Sequence, residues 1–332
     1  MDLQEKVKVA RLSVASNLIL TCGKLGVGLT MNSISVISEA IHSGLDLVAS
    51  VIAFASVKES NKPADDQHRY GHGKFENLAA IIEAVLILVA AALIIKEAYP
   101  KLFGATEVKS LGLGALVMGF SALVNIYISS RLMRVARETG SPALEADAWH
   151  LRTDVLTSLG VLAGIGIIKL TGWYIVDPVI AIGVTLFILK AAYDLLRESV
   201  GSILDARLPD NEEKVIMEVL QSYAGNYVDY RNLRTRRAGP QRYMDFNLIV
   251  PRGKQIVSTH ELCDSIERDL HRHLPGVEAV IHAEPCAPQD GDCEICSVRL
   301  CRKQQVEITG VCENCVECCP ENEETTNQQS HP

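Results

Sequence analysis

The sequence predicts an all-α membrane bundle of six transmembrane helices, followed by a small α+β domain of order α-β-β-α-β and a cysteine-rich tail. Three observations predict it. The 332 residues are 48% hydrophobic but only 5% aromatic, and the apolar ones lie in long runs before Leu196 instead of spreading through the chain. Lys and Arg gather on alternate connections between those runs. After Leu208-Pro209 the runs give way to short alternating and amphipathic stretches typical of a water-soluble domain. The domains therefore read as 1–208, 209–285 and 286–332.

The six spans cover about 9–31, 33–57, 77–99, 109–131, 143–169 and 174–196, each near the roughly 20 residues that cross a hydrocarbon core. The first is too long for a signal peptide and lacks a small-residue cleavage pattern, so it reads as span one. It carries Lys24, which either snorkels or pairs inside the bundle. Span two contains His42 and Asp46 within SEAIHSGLDLVAS. The connection KESNKPADDQHRYGHGKFEN bends at Pro63, Gly71 and Gly73. Its Asp65, Asp66, His68 and His72 suit a metal site held by a loop, and equally a solvated polar connection. Span three carries Glu83 at a depth where an unpaired carboxylate is costly. In span four, GLGALVMG superficially resembles a dinucleotide fingerprint, but no strand precedes it; the glycines read as helix packing.

Span five is the most informative. Ala143 to Lys169 is long and apolar from Val155 onward, yet its first half carries His150, Arg152 and Asp154. Ionisable groups at membrane depth cost roughly 2.5–3.5 kcal/mol each on insertion scales, so they read as functional. His150 and Asp154 are four apart, as are His42 and Asp46, so each pair shares one helix face. Counting about 1.5 Å per residue from the apolar ends puts Asp46 and His150 both about 10 Å from the inner face. His42 and Asp154 both fall about 16 Å from it. Two imidazoles and two carboxylates make a tetrahedral set suited to Zn²⁺, with Cd²⁺, Co²⁺, Ni²⁺ or Fe²⁺ as alternatives. Asp177-Pro178 opens span six.

Short flanks carry ten Lys and Arg on the side of the N-terminus and four on the other. Positive-inside then puts both termini in the cytoplasm. In the soluble part, Asp210 to Ala224 reads as a helix. Tyr227–Ala238 and Arg242–Val250 read as strands around a Gly239-Pro240 turn. Ser258 to Leu274 is an amphipathic helix, and Val277–His282 a last strand.

The tail holds eight of the ten cysteines and most of the net charge of −8. Cys293-x2-Cys296-x15-Cys312-x2-Cys315 has structural-zinc spacing. Cys312-x2-Cys315-x2-Cys318 opens like an iron–sulfur motif but meets Asn322 where the next cysteine belongs. An acidic tail with unligated thiols is the plain alternative. The acidity excludes a nucleic-acid surface. Enzyme motifs are absent: His260-Glu261 has Asp264 where HExxH needs its second His, and there is no GxSxG.

The paired HxxxD motifs, HRYGHGKFE, ALEADAWHLRTD and LRTRRAGP…VIHAEPC occur in an order that resembles the cation diffusion facilitator family over about residues 7–286. The resemblance implies a homodimeric divalent-cation/proton antiporter, zinc-type by its His/Asp pairs, in a prokaryotic cytoplasmic membrane. It also implies a ferredoxin-like, metallochaperone-like cytoplasmic domain. His42, Asp46, His150 and Asp154 match the family's transport site, and Asp65, His68 and His72 a loop site. Lys74 and Asp205 match a charge pair between protomers. His260, His282 and Glu284 match cytoplasmic-domain ligands, whereas Arg231 and Asn247 replace two expected histidines. An arginine stays protonated and cannot ligate, so at most one metal is expected there. The rival reading, a membrane-anchored metal sensor, leaves the four mid-membrane ligands without a purpose.

Overall fold

The structure is a computed structural model that describes residues 3–30, 34–101, 112–171, 175–251 and 254–286. The tail ligands Cys293, Cys296, Cys312 and Cys315 lie outside the described residues. The chain divides into two compact units, 1–204 with 238–240, and 205–237 with 241–332.

The first unit contains six long helices among the described residues: α1 (Leu3–Thr30), α2 (Ile34–Ser60), α3 (Lys74–Lys101), α4 (Gly112–Thr139), α5 (Pro142–Thr171) and α6 (Val176–Ile203). Stretches of α1, α3 and α6 are long and apolar enough to cross a membrane by length and composition: Gln4–Thr30, Lys74–Pro100 and Pro178–Ile203. Inside, the bundle buries charged and polar groups beside apolar clusters such as Leu132, Leu144 and Leu151, and its outside is apolar. Lys24, Asp46, Glu76, Glu83, Asp147 and His150 are buried, whereas Ile19, Leu93, Phe120 and Leu123 face outward. That inversion suits hydrocarbon as the surrounding solvent, where backbone groups must be satisfied within each helix. Several helices run past the expected spans at the end where α1, α3 and α5 begin: α2 to Ser60, α4 to Thr139 and α6 to Ile203. Hydropathy registers only the buried-in-lipid part, while the backbone ladder continues into charged turns such as Arg131–Glu138.

That near end is tied by one buried carboxylate. Glu76, at the start of α3, accepts Lys6 Nζ of α1 at 2.7 Å and Ser60 Oγ of α2 at 2.5 Å. Ser141 Oγ, at the start of α5, donates to its other oxygen. All four side chains are buried. The α4–α5 corner is equally determined. Gly140 takes φ 63°, and the Ser141 N–H reaches the Ala136 carbonyl at 3.0 Å, a Schellman closure of α4. Ser141 then caps α5 through Leu144 N at 3.4 Å, and Pro142 occupies the first helical position.

The second unit has the predicted order: α7 (Asp210–Ser222), β1 (Asp229–Ala238), β2 (Gln241–Val250), α8 (Ile256–His273) and β3 (Val277–Pro285). The sheet order is β1-β2-β3, with β2 and β3 parallel and joined across α8. Met244, Phe246, Leu248 and Val250 alternate into one core with Ile216, Leu220, Leu262, Ile266 and Leu270. β3 runs three residues beyond its expected end, so it carries Glu284 as well as His282.

Glu212 in the first turn of α7 is clamped by Arg242, at 2.9 and 2.7 Å, and by Arg237 at 2.9 Å. Burial pushes its carboxyl up, but the Arg242 hydrogen bonds and both guanidinium charges outweigh that and hold it below the ordinary glutamate value of 4.5. Its stabilisation is therefore complete above pH 4.5 and is lost as pH falls through the lower folded-state value. Glu212→Gln is expected to cost about 2 kcal/mol at neutral pH and to remove this part of the acid sensitivity. Amide exchange across α7 and β2 in the full-length protein measures both effects.

Candidate metal centre

Helix geometry puts His42 and Asp46 on one face of α2, and His150 and Asp154 on one face of α5. The two faces meet. His150 Nε2 lies 3.1 Å from Asp46 Oδ1, and ligand atoms of His42, Asp46 and Asp154 all fall within 4.8 Å of one another. Asp46 and His150 are buried, Asp154 half-buried and His42 exposed. His150 Nδ1 and Asp154 Oδ2 have no hydrogen-bond partner among the described residues. The four donors can close on one divalent cation. Doing so replaces the His150–Asp46 hydrogen bond by two metal bonds and requires Nε2 without its proton.

Arg152, in the same half of α5, does not join them. Arg152 lies over the Trp149 ring, 5.3 Å from its centroid, a cation–π contact on a different face. Lys24 takes the inside alternative: it is buried, and its Nζ donates to Ser43 Oγ at 2.7 Å, one residue from His42. Its charge also acts on Asp154, offsetting part of the site's negative charge.

The loop between α2 and α3 brings Asp65, His68 and His72 together, with ligand atoms within 4.8 Å. Asp65 Oδ1 accepts the backbone N–H groups of Gln67 at 2.9 Å and His68 at 2.6 Å, which fixes the turn. The His68 N–H, helped by that of Gln67, holds the Asp65 carboxyl below its ordinary value against the opposing effect of burial. His72 Nε2 is 3.3 Å from Asp65 Oδ2, and its buried Nδ1 lacks a partner. Asp66 is exposed and is not among the three.

The cytoplasmic-domain candidates do not converge in the same way. His282 Nε2 is 3.6 Å from Glu284 Oε1, and that oxygen accepts Asn247 Nδ2 at 2.6 Å. His260, on α8, faces Asp264 at 3.7 Å. Among the described residues, the sets of three ligands within 4.8 Å are the two above, and neither includes these residues. The Asn247 amide satisfies the Glu284 oxygen where the resemblance expects a histidine ligand. Lys74 Nζ donates to the Ile203 carbonyl at 3.3 Å, and Asp205, at φ 56°, accepts Arg236 at 3.4 Å.

Three residues near the centre escaped the sequence reading: Ser13, Ser43 and Asp147. Asp147 had a usable signal, since it precedes His150 by three and Asp154 by seven residues and so shares their face.

The family model for the cation efflux transmembrane domain matches residues 10–204. The model for the cation efflux protein cytoplasmic domain (ZT_dimer) matches residues 208–286. The chain is 32% identical over 276 residues to an uncharacterized transporter of Synechocystis sp., covering 83% of this chain and 89% of that protein. It is 31% identical over 291 residues to the cation-efflux pump FieF of Escherichia coli, covering 87% and 96%. A solved structure of CzrB in its Zn form is 36% identical with a TM-score of 0.23, covering 24% of this chain and 90% of that one. With both family models matched in order along one chain, the protein belongs to the cation efflux family of membrane transporters, the cation diffusion facilitators.

Proposed function

We propose that this transporter exports a divalent cation, Zn²⁺ foremost, in exchange for protons, as a homodimer in a bacterial cytoplasmic membrane with both termini inside. One observation carries the reading: His42, Asp46 and Asp154 of α2 and α5 gather within 4.8 Å of one another, and His150 lies 3.1 Å from Asp46. Imidazole nitrogen with carboxylate oxygen is a borderline donor set that suits Zn²⁺, while Fe²⁺, Cd²⁺ and Co²⁺ compete for the same ligands.

Exchange follows from the chemistry of those ligands. A cation binds neutral imidazole and ionised carboxylate, so its arrival expels protons and its departure invites them back. Alternating access of the bundle then turns one exchange into net export. The dimer is supported by the match to the ZT_dimer model, with Lys74 and Asp205 read as a pair across protomers. The reading is tested with protein sealed in vesicles containing a pH indicator. An imposed zinc gradient is expected to move protons the opposite way. Zinc flux with no proton movement overturns the exchange, and competition by Fe²⁺, Cd²⁺ or Co²⁺ ranks the cargo.

The loop cluster is read as a second, accessory cation site, since Asp65, His68 and His72 are already preassembled. His72→Ala is expected to weaken one class of Zn²⁺ binding by about 10- to 100-fold, while the flux at saturating zinc stays within a factor of about three. Calorimetric titration against vesicle flux separates the two quantities.

A further inference from the structure

Two layers of side chains cross the near end of the bundle. The lower one, Lys6, Glu76 and Ser141, is fully paired. Seven residues further along α1 and α3, and six along α5, stand Ser13, Glu83 and Asp147. At about 1.5 Å per residue, each is roughly 10 Å above the lower layer, so the three share a level. His150 is three residues beyond Asp147 on α5. The upper layer thus lies directly beneath the metal centre.

This upper layer is buried and unsatisfied. Glu83 and Ser13 are 0% exposed and Asp147 is 1% exposed. Both oxygens of Glu83 lack hydrogen-bond partners among the described residues, and Asp147 has only the adjacent Ser13 hydroxyl. Glu83 and Asp147 act on each other electrostatically, and Ser13 lies beside Asp147. The other charged groups acting on Asp147 are His150 of α5 and Asp46 of α2. On α1, Lys6 is engaged by Glu76 and Lys24 by Ser43. Among the described residues, the buried faces of α4 and α6 carry no charged side chain. Two carboxylates deprived of water, with no Lys or Arg acting on them among the described residues, cannot both stay ionised. Among the described residues the layer brings together three oxygen-bearing side chains, too few for a divalent ion, which takes six or more oxygens when they are hard ligands. A proton needs only one oxygen, and the Ser13 hydroxyl can serve a neighbouring carboxylate.

We propose that Glu83, Asp147 and Ser13 form a proton-holding site separate from the metal ligands, and that its proton is one of those exchanged for the cation. The second half rests on the exchange reading given above. Coupling comes from position. A divalent charge between Asp46 and His150 favours the ionised form of Asp147 one turn below, so the proton leaves as the cation arrives.

Infrared difference spectroscopy on the full-length protein in lipid nanodiscs tests the first half. At neutral pH the wild type is expected to show the C=O stretch of a protonated carboxylic acid, shifted in D₂O. Glu83→Gln and Asp147→Asn, each an isostere of the neutral acid, are expected to diminish that band singly and remove it together. An unchanged band in the double variant overturns the site. For the second half, Glu83→Gln in sealed vesicles is expected to transport zinc with fewer protons per cation; an unaltered ratio overturns the coupling. Asp154→Ala separates this proposal from the metal-centre reading. It keeps the carboxyl band even where it loses flux, and if it transports normally only the metal-centre reading falls.

Discussion

Asp154→Ala is expected to reduce the initial rate of zinc flux in sealed vesicles by at least about 100-fold. Removing even the outer partner of a metal ligand typically costs 10- to 100-fold in affinity or activity, and a direct ligand costs no less. Asp154 supplies one of two carboxylates in the set, so its loss leaves a divalent charge half-compensated in a partly buried site. Asp46→Ala is expected to be at least as severe, because it also strips His150 of its 3.1 Å partner. Arg152→Ala is the internal control. Its guanidinium lies over Trp149, and the rate is expected to stay within about threefold of wild type, since a cation–π contact is worth about 1 kcal/mol. If Asp154→Ala and Arg152→Ala behave alike, the assignment of the site is wrong.

The second large effect concerns stability. Glu76→Ala is expected to cost about 3–5 kcal/mol, because it leaves Lys6 as a buried charge without its partner. The Lys6 and Glu76 side chains are 3% and 0% exposed, so water cannot take over. Ser60 and Ser141 lose their acceptor in the same step, loosening the start of the helix that carries Asp147, His150 and Asp154. Replacing the pair together, Lys6→Met with Glu76→Leu, is expected to recover most of the loss, since an apolar pair needs no compensation. Thermal unfolding in detergent measures both variants. A Glu76→Ala protein within about 0.5 kcal/mol of wild type contradicts the hub.

Much of this architecture was legible in the sequence because membranes impose severe rules. Six apolar runs of spanning length correspond to the six long helices, and the alternation Met244, Phe246, Leu248, Val250 to the inner face of β2. The two HxxxD pairs were legible because the period of a helix converts spacing into a face. Depth counting went further, giving Asp46 and His150 one level, and these two side chains are in contact. What escaped lay outside those rules. Glu76 sits past the apolar span, where hydropathy is silent, and its partners come from three other helices. Ser13 has no meaning in isolation and acquires one when three helices are aligned on the lower layer, whereas the helix period already put Asp147 on the face of His150 and Asp154. His260, His282 and Glu284 are not drawn together within 4.8 Å among the described residues, and the Asn247 amide engages Glu284.

The most direct measurement is anomalous X-ray scattering at the zinc edge from crystals of the zinc-loaded full-length protein. One peak is expected between α2 and α5, about 2.0–2.2 Å from nitrogens of His42 and His150 and from oxygens of Asp46 and Asp154. Zinc peaks at the 65–72 loop or the cysteine tail, with none between those two helices at saturating metal, would contradict the account.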